Sequence, residues 1–175
     1  MSANTVDIKT FYNEHPINCG EILARATTAG ANANQLRAED LWAFDQDHYG
    51  GLQAVDSLAE ALAVNPQSRL LDLCSGLGGP ARYIATQYGC NIQGVDLNQS
   101  RVDGAIELTR LTGMSGQIKF LQADCCDLPL ADASFDTALS QEAFLHIEDR
   151  EQLMAECRRV PVSYTHLTLP TTPYV

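Results

Sequence analysis

The sequence is poor in positive charge. Its 175 residues include 11 lysines and arginines against 22 aspartates and glutamates, a formal net charge of −11. A field of this sign repels phosphate backbones and anionic lipids, so we expect no nucleic acid and no anionic membrane surface as a partner. It mildly favours a cationic ligand, although acidic surfaces commonly serve solubility alone.

Long apolar runs are also missing. No basic segment followed by an apolar stretch opens the chain, and no run approaches the roughly 20 residues of a membrane span. The length suits one α/β domain, and 45% hydrophobic residues are enough for a core. We expect a cytoplasmic protein with no membrane span; the oligomeric state is left unknown by the sequence.

Cysteine is present without the spacing of a zinc site or a secreted disulfide framework, because none of the six forms a C-x-x-C pair. We therefore expect no metal and reduced thiols. The adjacent Cys125 and Cys126 leave a redox-sensing role open.

The first 66 residues are predicted to form a helical segment. Asn18 suits a helix N-cap, and residues 51–64 repeat apolar side chains at helical spacing. Residues 41–51 between them read as a loop or helix end, and Asn65-Pro66 stops the second helix.

From Arg69 onward short apolar runs alternate with helices. This pattern predicts an α/β fold with a parallel sheet covered on both faces, within a core at residues 67–160. The predicted strands are 70–74, 90–97, 117–123 and 135–140, and the predicted helices are 80–88, 100–112 and 148–160.

The motif with the most chemical content is LLDLCSGLGGPARYIA (70–85). A strand runs through Asp72 into a turn at Gly76 and Gly78, where the absence of Cβ atoms lets the backbone approach a ligand. Asp96, twenty residues after Gly76, ends the next strand, where a carboxylate can accept both hydroxyls of a ribose.

Two cofactors fit this glycine pattern. Gly76, Gly78 and Ala81 satisfy the G-x-G-x-x-A pattern of NAD-binding proteins, so an NAD(P)-dependent oxidoreductase is an open alternative. Asp72 disfavours an anionic pyrophosphate and suits the ammonium and sulfonium of S-adenosylmethionine (SAM). The charge pattern therefore favours SAM.

In motif order and spacing, residues 69–160 resemble class I SAM-dependent methyltransferases. The nearest groups act on small molecules: the sarcosine/dimethylglycine, phosphoethanolamine, tocopherol and sterol methyltransferases. The resemblance implies a Rossmann-like methyltransferase fold with an N-terminal helical cap (1–66) and SAM as the cofactor.

The resemblance also assigns cofactor contacts. Asp72, Gly76 and Gly78 border the methionine part of SAM, Asp96 holds the ribose, and Leu97 lies against the adenine. Further contacts come from Asp124 to the adenine amino group, from the Cys125 backbone, and from Gln141 after the fourth strand. Arg82 either reaches the cofactor carboxylate or lies on the helix surface.

Other residues are implied at the acceptor side. His146, in SQEAFLHIEDR (140–150), either orients substrate and accepts a proton or is a packed structural residue; Glu142 is a second candidate base. The segment FYNEHPIN (11–18) resembles the opening of the cap, with Tyr12 closing over the sulfonium. Gln46, His48 and Tyr49 either line the substrate pocket or pack as a loop cluster.

The expected reaction is methyl transfer from SAM to a small molecule by in-line displacement. Orientation alone contributes on the order of 7–11 kcal/mol in such reactions. The acidic balance of the chain slightly favours an amine acceptor. A carbon or oxygen acceptor usually needs a base, for which His146 and Glu142 are the candidates. A non-catalytic SAM-binding module is the alternative from another functional class.

The last fifteen residues differ from the rest. VSYTHLTLPT (162–171) resembles the translation of a transposase adapter used in sequencing libraries, so we expect residues 161–175 to be non-native. Without them the sheet has four strands and is incomplete on its C-terminal side. The chain as written is therefore expected to be poorly soluble or inactive.

Overall fold

A computed structural model describes residues 8–161, with side chains from residue 10 onward. The non-native segment expected at 161–175 lies outside the described residues, apart from Pro161. The helices are α1 (Ile8–Asn13), α2 (Cys19–Thr28), α3 (Gly51–Ala61), α4 (Gly79–Tyr88), α5 (Gln99–Leu111) and α6 (Arg150–Arg159). The strands are β1 (Arg69–Leu73), β2 (Asn91–Asp96), β3 (Ile118–Gln122) and β4 (Thr137–Leu139).

The strands form one parallel sheet in the order β3-β2-β1-β4. The predicted α/β fold with a parallel sheet is confirmed, and the predicted strands and helices of the core all form within two residues of their expected bounds. The connection after β1 leads to β2 on one side of β1, and the chain later returns to form β4 on the other side of β1. A crevice therefore opens at the carboxyl ends of β1 and β4, where sheets of this kind bind ligands.

Alternating side chains on the strands separate two apolar clusters. Leu70 and Ile92 pack on one face with residues of α3 and α4, while Leu71 and Val95 pack on the other face with Leu153 of α6. This is the two-sided covering that a parallel sheet requires, and it explains why β1 is apolar at almost every position.

The N-terminal helices attach to the core through a third apolar cluster. Ile22 and Ala26 of α2, whose N-cap is Asn18 as predicted, pack against Leu108 of α5 and Leu77 of the glycine turn. α3 lies in the same cluster as the sheet residues Leu70 and Ile92. In the described part of the chain, no helix combines the length and hydropathy needed to cross a membrane.

A buried ion pair also joins the N-terminal region to the core. Arg82 Nη2 of α4 donates to Asp45 Oδ2 at 2.9 Å, and both side chains are fully buried. Gly79, in the first turn of α4, lies directly against the Asp45 carbonyl, which a Cβ at this position would overlap. The absence of a side chain at Gly79 therefore allows Asp45 to reach Arg82.

We predict that Gly79→Ala destabilises the protein by about 3–5 kcal/mol, because it displaces Asp45 and leaves Arg82 as an uncompensated buried charge. The measurement is the free energy of unfolding in urea. Gly116→Ala is the matched control, because a Cβ there meets open space; it should change stability by less than about 0.5 kcal/mol. Equal stability of the two variants would contradict this account of the pair.

Candidate active site

The candidate site lies at the carboxyl edge of the sheet. Five buried polar atoms at or beside this edge have no hydrogen-bond partner among the described residues. They are Asp72 Oδ2, Ser75 Oγ, Arg101 Nη2, Ser140 Oγ and Gln141 Oε1. Because buried polar groups in folded proteins are nearly always paired, such a group of atoms indicates a ligand-binding surface.

The glycine turn forms the first wall of this site. Gly76 and Gly78 have φ values of 53° and 74°, in the left-handed region that favours glycine. Asp96 Oδ2 accepts a hydrogen bond from the Gly76 N–H at 2.9 Å, and Asp96 Oδ1 accepts one from the Asn98 N–H at 2.9 Å. Each carboxylate oxygen keeps a second lone pair, so Asp96 is oriented and can still accept from a diol.

Asp72 lies beneath this turn and is 4% exposed. Burial, together with the nearby charge of Asp96, raises the pKa of Asp72 to about 8. A cationic ligand group would offset both effects and favour the ionised carboxylate. The structure thus gives Asp72 the surroundings of a cation-binding group.

The residues expected near the adenine lie after β2 and β3. Leu97 is 36% exposed next to Asp96. Asp124 Oδ1 accepts from the Cys126 N–H at 2.9 Å, so one of its oxygens caps a turn, and Cys125 is buried beside it. Contacts of these residues with adenine stay predictions.

Arg82 does not lie on the helix surface, so that alternative is wrong. Its guanidinium is fully buried, binds Asp45 and donates to Thr109 Oγ1 at 3.2 Å. A Cβ at Gly78 would lie 3.1 Å from Arg82 Nη1, so the guanidinium lies directly behind the glycine turn. A contact between Arg82 and the cofactor carboxylate stays a prediction, and the ion pair with Asp45 already supplies a structural role.

The structure brings the loop with the predicted substrate residues Gln46, His48 and Tyr49 against the segment after β4, which carries Gln141 and Glu142. The Tyr49 N–H donates to both carboxylate oxygens of Glu142, at 3.1 and 3.2 Å. His48 Nδ1 lies 2.9 Å from Gln141 Nε2, and His48 Nε2 lies 3.0 Å from Gln46 Oε1. The loop thus packs as a cluster on the segment after β4, while the Tyr49 side chain is 80% exposed.

Tyr12 and His146 also meet at this edge. Their rings pack edge to face, with centroids 6.1 Å apart and an interplanar angle of 90°. His146 ends the 3₁₀ turn Phe144–His146 and is exposed. Burial is the main cause that raises the pKa of the Tyr12 phenol. The two candidates from opposite ends of the described chain therefore share one surface.

Arg101 is the main contributor that the sequence analysis missed. Its Nη1 donates to the Ile17 carbonyl at 2.7 Å and lies 3.8 Å from Asp47 Oδ2, and its guanidinium lies 5.1 Å from the Tyr12 ring centroid. Only 4% of the residue is exposed. One signal was available: Arg101 lies in the first turn of α5, where the helix dipole disfavours a cation.

Comparisons with known proteins agree with this geometry. The family described as "Methyltransferase domain" matches residues 71–163, just over half of the chain. A glycine/sarcosine/dimethylglycine N-methyltransferase of Actinopolyspora halophila is 37% identical over 108 residues, 62% of this chain and 19% of that protein. A phosphoethanolamine N-methyltransferase of Arabidopsis thaliana is 33% identical over 104 residues, 59% of this chain and 21% of that protein.

A solved structure shows the same fold. The Haemonchus contortus phosphoethanolamine N-methyltransferase 2, determined with phosphomonomethylethanolamine and S-adenosylhomocysteine, aligns with a TM-score of 0.66 at 22% identity. The alignment covers 91% of this chain and 34% of that one. The chain thus spans well under half the length of these relatives.

We predict that Asp72 makes the unliganded protein less stable as pH rises. The folded-state pKa of about 8 exceeds the usual value of 3.8, so the stability contributed by the protonated carboxyl is present at low pH and is lost as pH rises between these values. Unfolding in urea across this range should show that loss. Asp72→Asn should reduce the pH dependence; Asp127→Asn, at an exposed carboxylate, should retain it.

We also predict that Arg101→Met releases the segment around Tyr12. The substitution leaves the Ile17 carbonyl unpaired, at a cost of about 1–3 kcal/mol. Chymotrypsin should then cleave after Phe11 or Tyr12 faster than in the unmodified protein. Arg110→Met, which removes an exposed pair with Glu107 on the same helix, is the control and should leave cleavage unchanged. Equal cleavage of both variants would contradict the role of Arg101.

Proposed function

Because this chain belongs to the family of methyltransferase domains, we propose that it binds S-adenosylmethionine at the carboxyl edge of its sheet and transfers the methyl group to a small-molecule acceptor. The observation that carries the proposal is Asp72, a buried carboxyl group whose Oδ2 has no partner among the described residues. Its chemistry calls for a cation, and SAM brings an ammonium and a sulfonium.

The same residues argue against a dinucleotide. A pyrophosphate at the start of α4 would lie close to the carboxyl groups of Asp72 and Asp96. It would raise the pKa values of both groups further and would find no cationic partner in them. SAM has no phosphate. Its ribose suits Asp96, whose oxygens are already oriented by the Gly76 and Asn98 N–H groups.

When bound, the cofactor supplies an electrophilic methyl group on a positively charged sulfur. The protein's part is to hold the acceptor in line with that group and to exclude water. Tyr12 and the 3₁₀ turn that carries His146 lie on the acceptor side, and Tyr12 presents an aromatic face that suits a sulfonium. We assign to His146 the role of accepting a proton or orienting the acceptor, and its contact with the Tyr12 ring supports this assignment.

We propose an amine as the acceptor. A neutral amine is already a nucleophile, so the site needs orientation more than a strong base. Glu142, together with the acidic balance of the chain, would attract the cationic form of an amine from solution. The relatives named for glycine, sarcosine, dimethylglycine and phosphoethanolamine support this class, whereas other relatives are named as sterol C-methyltransferases.

Calorimetry should detect binding of S-adenosylhomocysteine and none of NAD. Asp96→Asn should weaken the binding at least tenfold, because the ribose hydroxyls lose a charged acceptor worth about 1.5–3 kcal/mol. Asp103→Asn, an exposed substitution on α5, is the matched control. Binding of NAD without S-adenosylhomocysteine would establish the oxidoreductase alternative.

Transfer of a labelled methyl group should then be measured with sarcosine, dimethylglycine, phosphoethanolamine and a sterol. With the preferred acceptor, His146→Ala should lower kcat by about 10²-fold if the imidazole takes the proton, with little change in S-adenosylhomocysteine affinity. Full turnover by this variant would contradict the role of His146. Binding without transfer to any acceptor would agree with the inactivity expected of a four-stranded chain and with a non-catalytic SAM-binding module, whereas transfer would contradict both.

A further inference from the structure

A chain of side-chain hydrogen bonds connects the buried ion pair to the candidate site. Gln46 Nε2 donates to Asp45 Oδ1 at 2.7 Å, and Gln46 Oε1 lies 3.0 Å from His48 Nε2. His48 Nδ1 in turn lies 2.9 Å from Gln141 Nε2. The other end of the Gln141 amide, Oε1, is buried and has no hydrogen-bond partner among the described residues. The chain of contacts therefore ends at an unsatisfied oxygen.

Asp45 determines the direction of the first hydrogen bond. As the ionised partner of Arg82, its carboxylate has lone pairs and no proton, so the group facing Asp45 Oδ1 must donate. Only the NH₂ end of the Gln46 amide can donate, which leaves Gln46 Oε1 facing His48 as an acceptor. The reversed amide would place one acceptor oxygen against another. The orientation of Gln46 is therefore fixed by the ion pair.

The position of the proton on the His48 ring follows from Gln46. Nε2 faces an acceptor and must carry the proton, so the neutral ring has a bare Nδ1. A bare Nδ1 can accept from the Gln141 NH₂ group, whereas a proton on Nδ1 would face another donor there. The Tyr49 carbonyl, 3.0 Å from the same Nδ1, is the acceptor that would favour the opposite tautomer if Gln46 were absent.

We propose that Gln46 and His48 are positioning residues, which hold Gln141 with its Oε1 toward the site so that this oxygen accepts a hydrogen bond from an N–H group of the ligand. Gln141 follows β4 at the carboxyl edge of the sheet, and the hydroxyl of its neighbour Ser140 is also buried without a partner among the described residues. A buried amide oxygen without a partner is unfavourable, and a ligand N–H would remove that cost.

Two groups of the proposed ligands carry such an N–H: the ammonium of the SAM methionine and the nitrogen of an amine acceptor. An amide oxygen accepts from either group without adding another negative charge to the crevice that contains Asp72 and Asp96. A ligand carboxylate at the same point would face a second acceptor and would be disfavoured. The nature of the ligand thus rests on the proposed function, whereas the direction of the hydrogen bonds does not.

The direction of the hydrogen bonds can be measured by nitrogen NMR of the full chain, labelled in its histidine rings and kept without ligand in mildly alkaline buffer. The spectrum of His48→Phe identifies the His48 signals. We expect a neutral His48 ring with its proton on Nε2. Gln46→Met removes the acceptor at Nε2 and retains the Tyr49 carbonyl beside Nδ1, so the proton should move to Nδ1. Gln152→Met, an exposed substitution on α6, is the matched control and should leave the proton on Nε2.

Calorimetry then tests Gln141 and identifies the donor. If the cofactor ammonium is the donor, Gln141→Met should weaken S-adenosylhomocysteine binding about tenfold and leave 5′-methylthioadenosine, which lacks the amino-acid part, unchanged. If the acceptor nitrogen is the donor, both nucleosides should bind as before, and sarcosine should bind the S-adenosylhomocysteine complex about tenfold more weakly. Gln152→Met should change none of these affinities.

A double variant separates positioning from a general structural role. His48→Phe should weaken the same binding as Gln141→Met, because the Gln141 amide then loses the acceptor that orients it. In the double variant the second substitution should add little, because His48 acts through Gln141.

Three results would overturn the proposal: a His48 ring protonated at Nδ1 or at both nitrogens in the unmodified chain, unchanged binding of all three ligands by Gln141→Met, or additive losses in the double variant. The NMR and binding measurements are separate. If the unmodified chain fails to bind S-adenosylhomocysteine while the His48 proton lies on Nε2 and moves in Gln46→Met, the proposed function fails and the direction of the hydrogen bonds stands.

Discussion

Arg82 and Asp45 are withdrawn completely from water, and the ion pair between them connects α4 to the cap. Neither charge could remain at its position without the other, because an unpaired buried ion costs several kcal/mol. Asp45 in turn accepts a hydrogen bond from Gln46, the first residue of the loop that packs on Glu142 and Gln141. The arrangement of the loop at residues 46–49 therefore depends on a contact made behind the glycine turn.

The glycine turn has groups of opposite charge on its two sides. On its buried side it packs against the guanidinium of Arg82, which Asp45 compensates. On its crevice side it faces Asp72 and Asp96, whose carboxyl pKa values are both raised chiefly by burial. An added cation would therefore be favoured on the crevice side, beside Asp72 and Asp96.

The parts of the site that the sequence predicted are those fixed by local pattern and sheet topology. Asp72 and Asp96 lie within the last two residues of neighbouring parallel strands, and parallel strands bring their carboxyl ends to one edge. Strand runs, the glycine turn and the Asn18 cap all depend on residues close together in sequence. Their positions could be predicted from the local sequence, without any knowledge of long-range contacts.

The contributions of Arg82 and Arg101 could not be predicted in this way. Arg82 was expected at the cofactor or on a surface, because nothing near it in sequence reveals Asp45, 37 positions away. Arg101 contacts Ile17 over 84 positions. Each pairing depends on where the N-terminal segment or a strand-end loop lies in the folded chain, which local periodicity does not encode.

The two halves of the site should therefore respond differently to perturbation. The cofactor half is built from strand ends and a glycine turn, which are held by the backbone hydrogen bonds of the sheet and by two apolar clusters. The cap is held by apolar packing of α2 and α3, but the residues predicted on the acceptor side also depend on a few polar contacts, Asp45–Arg82, Tyr49–Glu142 and Ile17–Arg101. A single substitution can remove any one of these polar contacts. Substitutions in the cap should change the choice of acceptor before they change cofactor binding. Such an arrangement would let related proteins keep one cofactor while they differ in acceptor.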